Sequence, residues 1–374
     1  MRLFEYEAKE IFAKNGIPIP KGGVATTLEE AEGVYGGLGS VVVKSQVLVG
    51  GRGKAGGIKF ANTPVELKES VAALLGSEIR GFRVGSVLIE EKLDIEKELY
   101  VGVTVERSQG KAVVLASGKG GIDIEELART YPDQIVKELV DVRRGLRPYE
   151  AADILRRAGV SGKALTKASG ILVRLYDIFW AYDAEVTEIN PLVVTKDGGL
   201  IAADAKMNID DEAVRRHPEV RQEDSFLTTL EKEARTHNLG YVEMGGTIGV
   251  IGNGAGLNMT TLDILRHYGG EPANFLEVSG RTYMKAEEAI QIVLKNPKVK
   301  VIFGNFFGSI SRCDVIAKGL AEAIKKGKVT KPMVVSMRGN GAEEGKEILR
   351  ALDVPIYEND QIAGEKAVEL AKRG

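Results

Sequence analysis

Apolar and polar positions repeat with two different textures along this chain, and the change of texture divides it. Leu3, Phe4, Ala8, Ile11 and Phe12 recur at helical spacing and Asn15-Gly16 closes the run, so residues 3–14 are predicted helical. Beyond Pro18 and Pro20 come a short strand and a Glu-rich helix near 27–36. Val41-Val42-Val43-Lys44 reads as a buried strand that enters a glycine-rich loop over 50–57. Further strands are expected at 84–90, 98–105 and 112–116, and amphipathic helices at 149–158 and 163–180. A strand at 185–194, the turn Lys196-Asp197-Gly198-Gly199 and a return strand at 200–206 make a hairpin. Residues 209–238 are densely charged and read as a connector.

From Gly246 the pattern becomes regular. Strand-like runs at 247–252, 273–278, 299–303, 332–337 and 355–357 are each followed by a helical stretch, near 257–267, 284–295, 311–325, 341–351 and 361–372. Five βα units with short connections predict a parallel sheet wound with helices on both faces. The first two-thirds lacks this regularity and carries hairpin signals, which predicts a domain of α+β kind. The division is expected near 235–245, with domains at 1–238 and 239–374 and the connector counted with the first.

Composition narrows the function classes. At 374 residues the chain is long enough for two or three cores, and 44% hydrophobic residues exclude general disorder. Lys and Arg number 51 against 53 Asp and Glu, a balance that argues against a nucleic-acid binder of the basic-patch kind. Cys313 is the single cysteine, so no internal disulfide forms, which fits a reducing compartment. The first residues lack the apolar stretch of a signal peptide, and no segment reaches the roughly 18 apolar residues of a membrane span. The expectation is a cytoplasmic enzyme without membrane or nucleic-acid partners. The 45 glycines exceed the usual share of ~7% and cluster beside strand-like runs, which implies backbone-lined sites.

Five places can carry chemistry. Lys44 with Gly51-Arg52-Gly53 offers a cation at a strand end and backbone amides that approach phosphate oxygens, although the spacing is not that of a Walker A loop. A solvated surface loop accounts for the same residues. In Glu188-Ile189-Asn190-Pro191, strand alternation puts Glu188 and Asn190 on one face, and the return strand brings Asp204 opposite Asn190. Hard oxygen ligands without His or Cys suit Mg²⁺; the alternative is a solvated hairpin face. Glu90 at a strand end, with Glu98 eight residues on, can accept from ribose hydroxyls or an exocyclic amine, but spacing alone favours two surface glutamates. Gly252-Asn253-Gly254-Ala255-Gly256 and the run from Asn305 through Asp314 both follow apolar strands. Either would let an anion sit at a helix start near Gly254 or Gly308, or be an ordinary βα turn. His217, His237 and His267 flank no glycine turn and pair with no evident carboxylate, so each reads as structural or solvated. Cys313 reads as a packing residue.

Six ordered blocks then resemble one family from end to end, the β subunits of succinyl-CoA synthetase (succinate–CoA ligase). They are Leu3-Phe4-Glu5-Tyr6-Glu7-Ala8-Lys9, Val43 to Val47 with Gly50 to Gly57, Glu188 to Leu192, Asn253 to Leu257, Gly269 to Leu276 and Arg312-Cys313-Asp314. The resemblance implies an N-terminal ATP-grasp domain followed by a flavodoxin-like, doubly wound ligase domain. It implies that ATP, succinate and CoA give ADP, phosphate and succinyl-CoA reversibly, through a phosphohistidine on a partner α subunit that also carries the CoA site. By the same resemblance Lys44 and Gly51, Arg52 and Gly53 hold the nucleotide phosphates. Glu90, Leu93 and Glu98 lie around adenine and ribose, and Asn190 and Asp204 hold one Mg²⁺. Glu188 would bond the visiting histidine, and Asn253, Ser309, Ile310 and Ser311 would line the site where phosphohistidine meets the acid. Lys119, Ser309 and the shortened run after Val278 depart from the family pattern; the latter two put the identity of the acid in question. A malate–CoA ligase β subunit and a stand-alone ATP-grasp carboxylate–amine ligase are the alternatives. An NAD-linked oxidoreductase fits less well, because the glycine spacing after residue 251 is wrong for it.

Overall fold

The computed structural model describes residues 1–130, 132–220, 227–280 and 282–373. The chain forms two compact units, Met1–Gln222 and Glu223–Gly374.

Among the described residues the first unit holds two larger antiparallel sheets and a two-stranded one. Of the larger two, the smaller has the order β1 (Gly22–Ala25), β6 (Val87–Glu91), β2 (Val41–Ser45), β3 (Ile58–Ala61). Helices α2 (Leu28–Tyr35) and α3 (Pro64–Leu74) cover it, and Val41, Val43, Leu67, Val71 and Ile89 form its core. Both helices start on a threonine cap, Thr27 and Thr63, whose side chains accept from the Glu30 and Glu66 amides. A small hairpin, β4 (Glu78–Ile79) and β5 (Phe82–Arg83), stands beside this sheet in sequence. The larger sheet runs β11 (Leu200–Ala202), β10 (Ala184–Thr195), β7 (Ile95–Glu106), β8 (Lys111–Ser117), β9 (Val136–Val140), with β12 (Lys206–Ile209) also on β10. Behind it α1 (Glu5–Lys14), α5 (Pro148–Arg157) and α6 (Gly162–Ala181) supply Phe12, Ile154, Leu172 and Leu175 to one core with Val101, Val114 and Leu192. The short α4 (Ile124–Thr130) lies between β8 and β9 in sequence.

The second unit is a single sheet ordered β13 (Gly240–Glu243), β15 (Asn274–Glu277), β14 (Ile248–Gly252), β16 (Val301–Gly308), β17 (Met333–Gly339), β18 (Ile356–Tyr357). All pairings are parallel except that of β13 with β15. Numbered from β14, the five parallel strands follow the flavodoxin-like order 2-1-3-4-5. Helices α8 (Ala255–His267) and α12 (Asp360–Arg373) cover one face, where Leu262, Leu265 and Val368 meet Val250 and Phe303. On the other face α9 (Ala286–Lys295), α10 (Cys313–Lys325) and α11 (Ala342–Arg350) bring Ile290, Ile316, Leu320 and Leu349 against Ile302 and Val335.

Two expectations change. The charged stretch 209–238 is not one connector: α7 (Thr229–Thr236) packs Ala234 into the core of the second unit with Leu239 and Tyr241. The units therefore divide at Gln222/Glu223, not at 238/239. Because α7 buries only a small residue, its sequence reads as solvated; residues 221–226 of the expected connector lie outside the described residues. Nor does the helix near Gly308 begin there. Strand β16 continues through Gly308 and α10 starts at Cys313.

Gly308 faces Gly339 across the end of that pairing, and a Cβ on Gly308 would stand 2.2 Å from the Asn340 carbonyl oxygen. Gly308→Ala is therefore expected to cost about 2 kcal/mol, read by denaturant unfolding followed by circular dichroism; an unchanged midpoint would refute the close approach.

Candidate active site

A cavity of about 740 Å³ opens in the first unit, lined by Glu5, Gly50 to Lys54, Gly121 to Glu125, Glu188, Asn190 and Asp204. Its floor is made by ion pairs. Helix α1 places Glu5 and Lys9 one turn apart on its buried face, beside Ala8 and Phe12. The Glu5 carboxylate receives Lys9 and Lys44 on one oxygen and Arg52 on the other, each at 2.8 Å. Glu90 binds Lys9 at 2.6 Å and Lys44 at 2.7 Å. Lys9 and Lys44 both donate to the Ala203 carbonyl, and Arg52 reaches Asp204 at 3.2 Å. Three carboxylates and three cations thus form one neutral cluster, most of it removed from water. Burial alone would raise the Glu5 pKa, but Lys44, Lys9 and Arg52 outweigh it and hold the carboxyl well below its ordinary range. Burial likewise opposes the charge on Lys44, and Glu5, Glu90 and Asp204 push its pKa above the ordinary value.

Above this floor the glycine-rich loop folds back on itself. The carbonyls of Gly51, Arg52 and Gly53 accept from Ala55, Gly57 and Gly56. Among the described residues the N–H groups of 50–54 donate to no protein acceptor, leaving a run of free amides on the cavity wall. Asn190 and Asp204 face each other from β10 and the segment between β11 and β12, because the flanking pairs are Leu192 with Ala202 and Glu188 with Lys206. The Asn190 amide accepts from the Gly121 N–H at 2.8 Å and donates to the Ile122 carbonyl at 2.9 Å, which aims its oxygen. Asp204 remains 36% exposed on its side chain, so its carboxylate is open to the cavity although Arg52 holds one side. Glu188 is nearly buried, with Lys206 at 3.7 Å. Burial pushes its carboxyl upward; Lys206 offsets part of this, and Asp204 and Glu125 add to it.

The structure thus brings Gly51, Arg52, Gly53, Glu188, Asn190 and Asp204 to one cavity, with Lys44 directly beneath. Glu90 is a correction. Expected beside adenine or ribose, its carboxylate is turned inward at 2% exposure and consumed by Lys9 and Lys44. Leu93 and Glu98 do not themselves line the cavity and are half-buried; the Glu98 carboxylate packs against Gly121, a lining residue, and burial raises its pKa. Glu5 and Lys9 were not anticipated as site residues. Their signal was present: both fall on the apolar stripe of α1, where a charge needs a buried partner.

In the second unit Asn253 follows β14 and pairs both ways with the Phe307 backbone of β16, at 2.7 and 2.8 Å. These strands flank the point where strand order reverses, the place open α/β sheets put ligands. Ser309 and Ile310 are exposed, Ile310 at 88%, while Ser311 is buried. His217 corrects another reading. Its ring lies 2.8 Å from Asp183 and stacks on Tyr182, so it does have a carboxylate partner. Cys313 is buried and donates to the Arg338 carbonyl, and burial pushes its thiol up to about 11.

Two domain families match the sequence, the ATP-grasp domain over residues 2–194 and the CoA-ligase domain over 251–370. Together they define an acid–thiol ligase of the ATP-grasp type. The chain is 46% identical, over all of both chains, to the succinate–CoA ligase [ADP-forming] subunit beta of Ignicoccus hospitalis. It is also 46% identical to the succinate–CoA ligase [GDP-forming] subunit beta of Thermus thermophilus, over 99% of each. The ATP citrate lyase of Methanothrix soehngenii, solved with citrate and coenzyme A, shares the fold with a TM-score of 0.77 at 19% identity, over 100% of this chain and 99% of that one. The chain belongs to the family of succinate–CoA ligase β subunits. No helix among the described residues is long and apolar enough to cross a membrane.

Two outcomes follow from the cluster and from Glu188. Lys44→Met leaves Glu5 and Glu90 short of a counter-charge and is expected to cost about 3 kcal/mol in unfolding free energy; adding Glu90→Gln should recover much of it, and additive losses would contradict the network. Glu188→Gln removes a carboxylate whose ionised form burial disfavours, so the folded state gains where that group is charged. Calorimetry should show a melting temperature higher by roughly 2 °C at neutral pH, with the gain vanishing below about pH 4, where folded and unfolded carboxyls are both protonated.

Proposed function

We propose that this chain is the nucleotide-binding β subunit of an ADP-forming succinate–CoA ligase, in which Mg-ATP phosphorylates a histidine on a partner α subunit. One observation carries the reading: free loop amides at 50–54 share a cavity with Glu188, Asn190 and Asp204 over a cluster of ion pairs that fixes Lys44 and Arg52. Phosphoryl transfer needs positioning and charge neutralisation more than covalent chemistry from the protein, and this arrangement offers both.

The amides of Gly51 to Gly53 would bind the β- and γ-phosphates, with Arg52 and Lys44 as positive charge behind them. Asn190 and Asp204 present hard oxygens in register, which suits Mg²⁺. Among the described residues no group of three or more His, Cys, Asp or Glu is placed to hold a metal, so phosphates and water would complete the shell. Bound there, the metal would supply charge neutralisation at the transferring phosphoryl group. Arg52, which shares Asp204 in the nucleotide-free arrangement, would turn toward phosphate. Glu188, nearly buried and with a raised pKa, would accept a hydrogen bond from the N–H of the visiting imidazole and orient its other nitrogen for in-line attack. The N–P bond forms as the bond to the ADP oxygen breaks.

The second half of the cycle belongs to the second unit and the partner. Phosphohistidine would pass its phosphoryl group to a succinate carboxylate, and the CoA thiolate would displace phosphate to give succinyl-CoA. Asn253 and Ser309 to Ser311 flank the reversal point of the parallel sheet, which supports placing the acid there. Both ADP-forming and GDP-forming relatives stand at 46% identity, so ATP is proposed on the family resemblance, in which Pro20 matches the adenine-specific form. Cytoplasmic residence goes with the reaction proposed.

The test is transfer of label from γ-labelled ATP to the co-purified partner, with GTP run alongside. Asp204→Ala is expected to reduce histidine labelling at least a hundredfold while the circular dichroism spectrum is retained. Wild-type labelling by that variant would remove Asp204 from the metal site, and labelling of this chain in place of the partner would end the split-subunit reading.

A further inference from the structure

The cavity contains a cation that the cluster does not account for. Of the basic residues lining it, Arg52 faces Glu5 and Asp204, Lys54 faces Glu126 and Lys206 faces Glu188, while Arg2 and Arg80 carry no ion pair among the described residues; of these two, Arg80 is the one bonded to the glycine-rich loop. Arg80 has no carboxylate within ion-pair distance among the described residues. Its one bond to the protein is from Nη1 to the Gly50 carbonyl at 2.9 Å, and its guanidinium lies within 2.9–3.1 Å of where a Cβ on Gly51 would stand.

The backbone under Arg80 is unusual for arginine. Glu78 pairs with Arg83 and Ile79 with Phe82, so Arg80-Gly81 is a two-residue hairpin turn, with φ of 51° at Arg80 and 85° at Gly81. Asn, Asp or Gly is the usual first residue of such a turn, and a longer side chain is strained there. The turn therefore forgoes its best residue and places a planar five-donor cation against a loop with unpartnered amides.

We infer that Arg80 is a phosphate-binding residue, delivered by the β4–β5 turn to the outer side of the glycine-rich loop, where it contacts the terminal phosphates of the bound nucleotide. The inference rests on the nucleotide reading proposed above. The loop amides supply neutral donors and Lys44 is held from below by two carboxylates, so Arg80, bonded to the loop itself, is the loop-side cation free to meet the phosphates without first giving up a counter-charge. A guanidinium fork with unused N–H groups suits two oxygens of a phosphoanion.

Arg80→Asn tests this without endangering the turn, because asparagine accepts the left-handed conformation. On the full chain, calorimetric titration with Mg-ATP, AMP and inorganic phosphate separates the sources of the phosphoanion. The variant is expected to bind Mg-ATP roughly tenfold to a hundredfold more weakly, to bind AMP within about twofold of wild type, and to melt no lower than wild type. Unchanged Mg-ATP affinity in a wild type that binds it would overturn the role of Arg80 and leave the nucleotide site standing. An equal loss for AMP, or a loss confined to inorganic phosphate, also overturns the assignment. Failure of the wild-type chain itself to bind Mg-ATP would overturn the nucleotide reading and the inference together.

Discussion

Six charges taken out of water hold the first unit's cavity in shape. Removing an ion from water costs several kcal/mol even after relaxation, so Glu5, Lys9, Lys44, Arg52, Glu90 and Asp204 can be buried or half-buried together only as a closed set. The set ties α1, β2, β6, the glycine-rich loop and the strand-to-strand segment at Ala203-Asp204 to one another. Lys9 and Lys44 share the same carbonyl and the same two carboxylates, so neither can shift without disturbing the other. The result is a charge-balanced floor whose cations are fixed in place before any ligand arrives, the preorganisation that electrostatic catalysis requires.

The loop above that floor plays the complementary part. Its carbonyls are consumed by its own turn, and its amides are left for an anion. Asp204 belongs to both systems, closing the ion cluster through Arg52 while standing opposite Asn190. Occupation of the metal position and release of Arg52 toward phosphate would therefore be one event, coupled through a single carboxylate. Glu188 lines the same cavity with its charge disfavoured by burial, a cost in stability consistent with the role proposed for it.

The second unit uses amide side chains where the first uses ions. Asn253 joins the ends of β14 and β16, Asn274 pairs with both backbone groups of Val250, and Asn258 donates to the Leu276 carbonyl. Asn253 bonds main-chain groups at the carboxyl ends of β14 and β16, the region where ligands of such sheets bind, while Asn274 bonds the middle of β14.

Periodicity alone was enough to lay out the five βα units, the long helices α5 and α6 and the hairpin that sets Asn190 against Asp204, because these depend on neighbours within a few residues or on one short turn. It misplaced the boundary, where a short helix with one buried alanine carries little local signal, and the glycine-containing run after Asn305 suggested a helix start near Gly308 where the strand instead continues. The burial of Glu5, Lys9 and Glu90 belonged to the tertiary structure alone. The partners that make their burial possible lie far apart in the chain, 39 residues from Glu5 to Lys44 and 159 from Lys44 to Ala203, and only packing decides which charges meet. A sequence states that a charge stands on an apolar stripe; the fold decides what neutralises it.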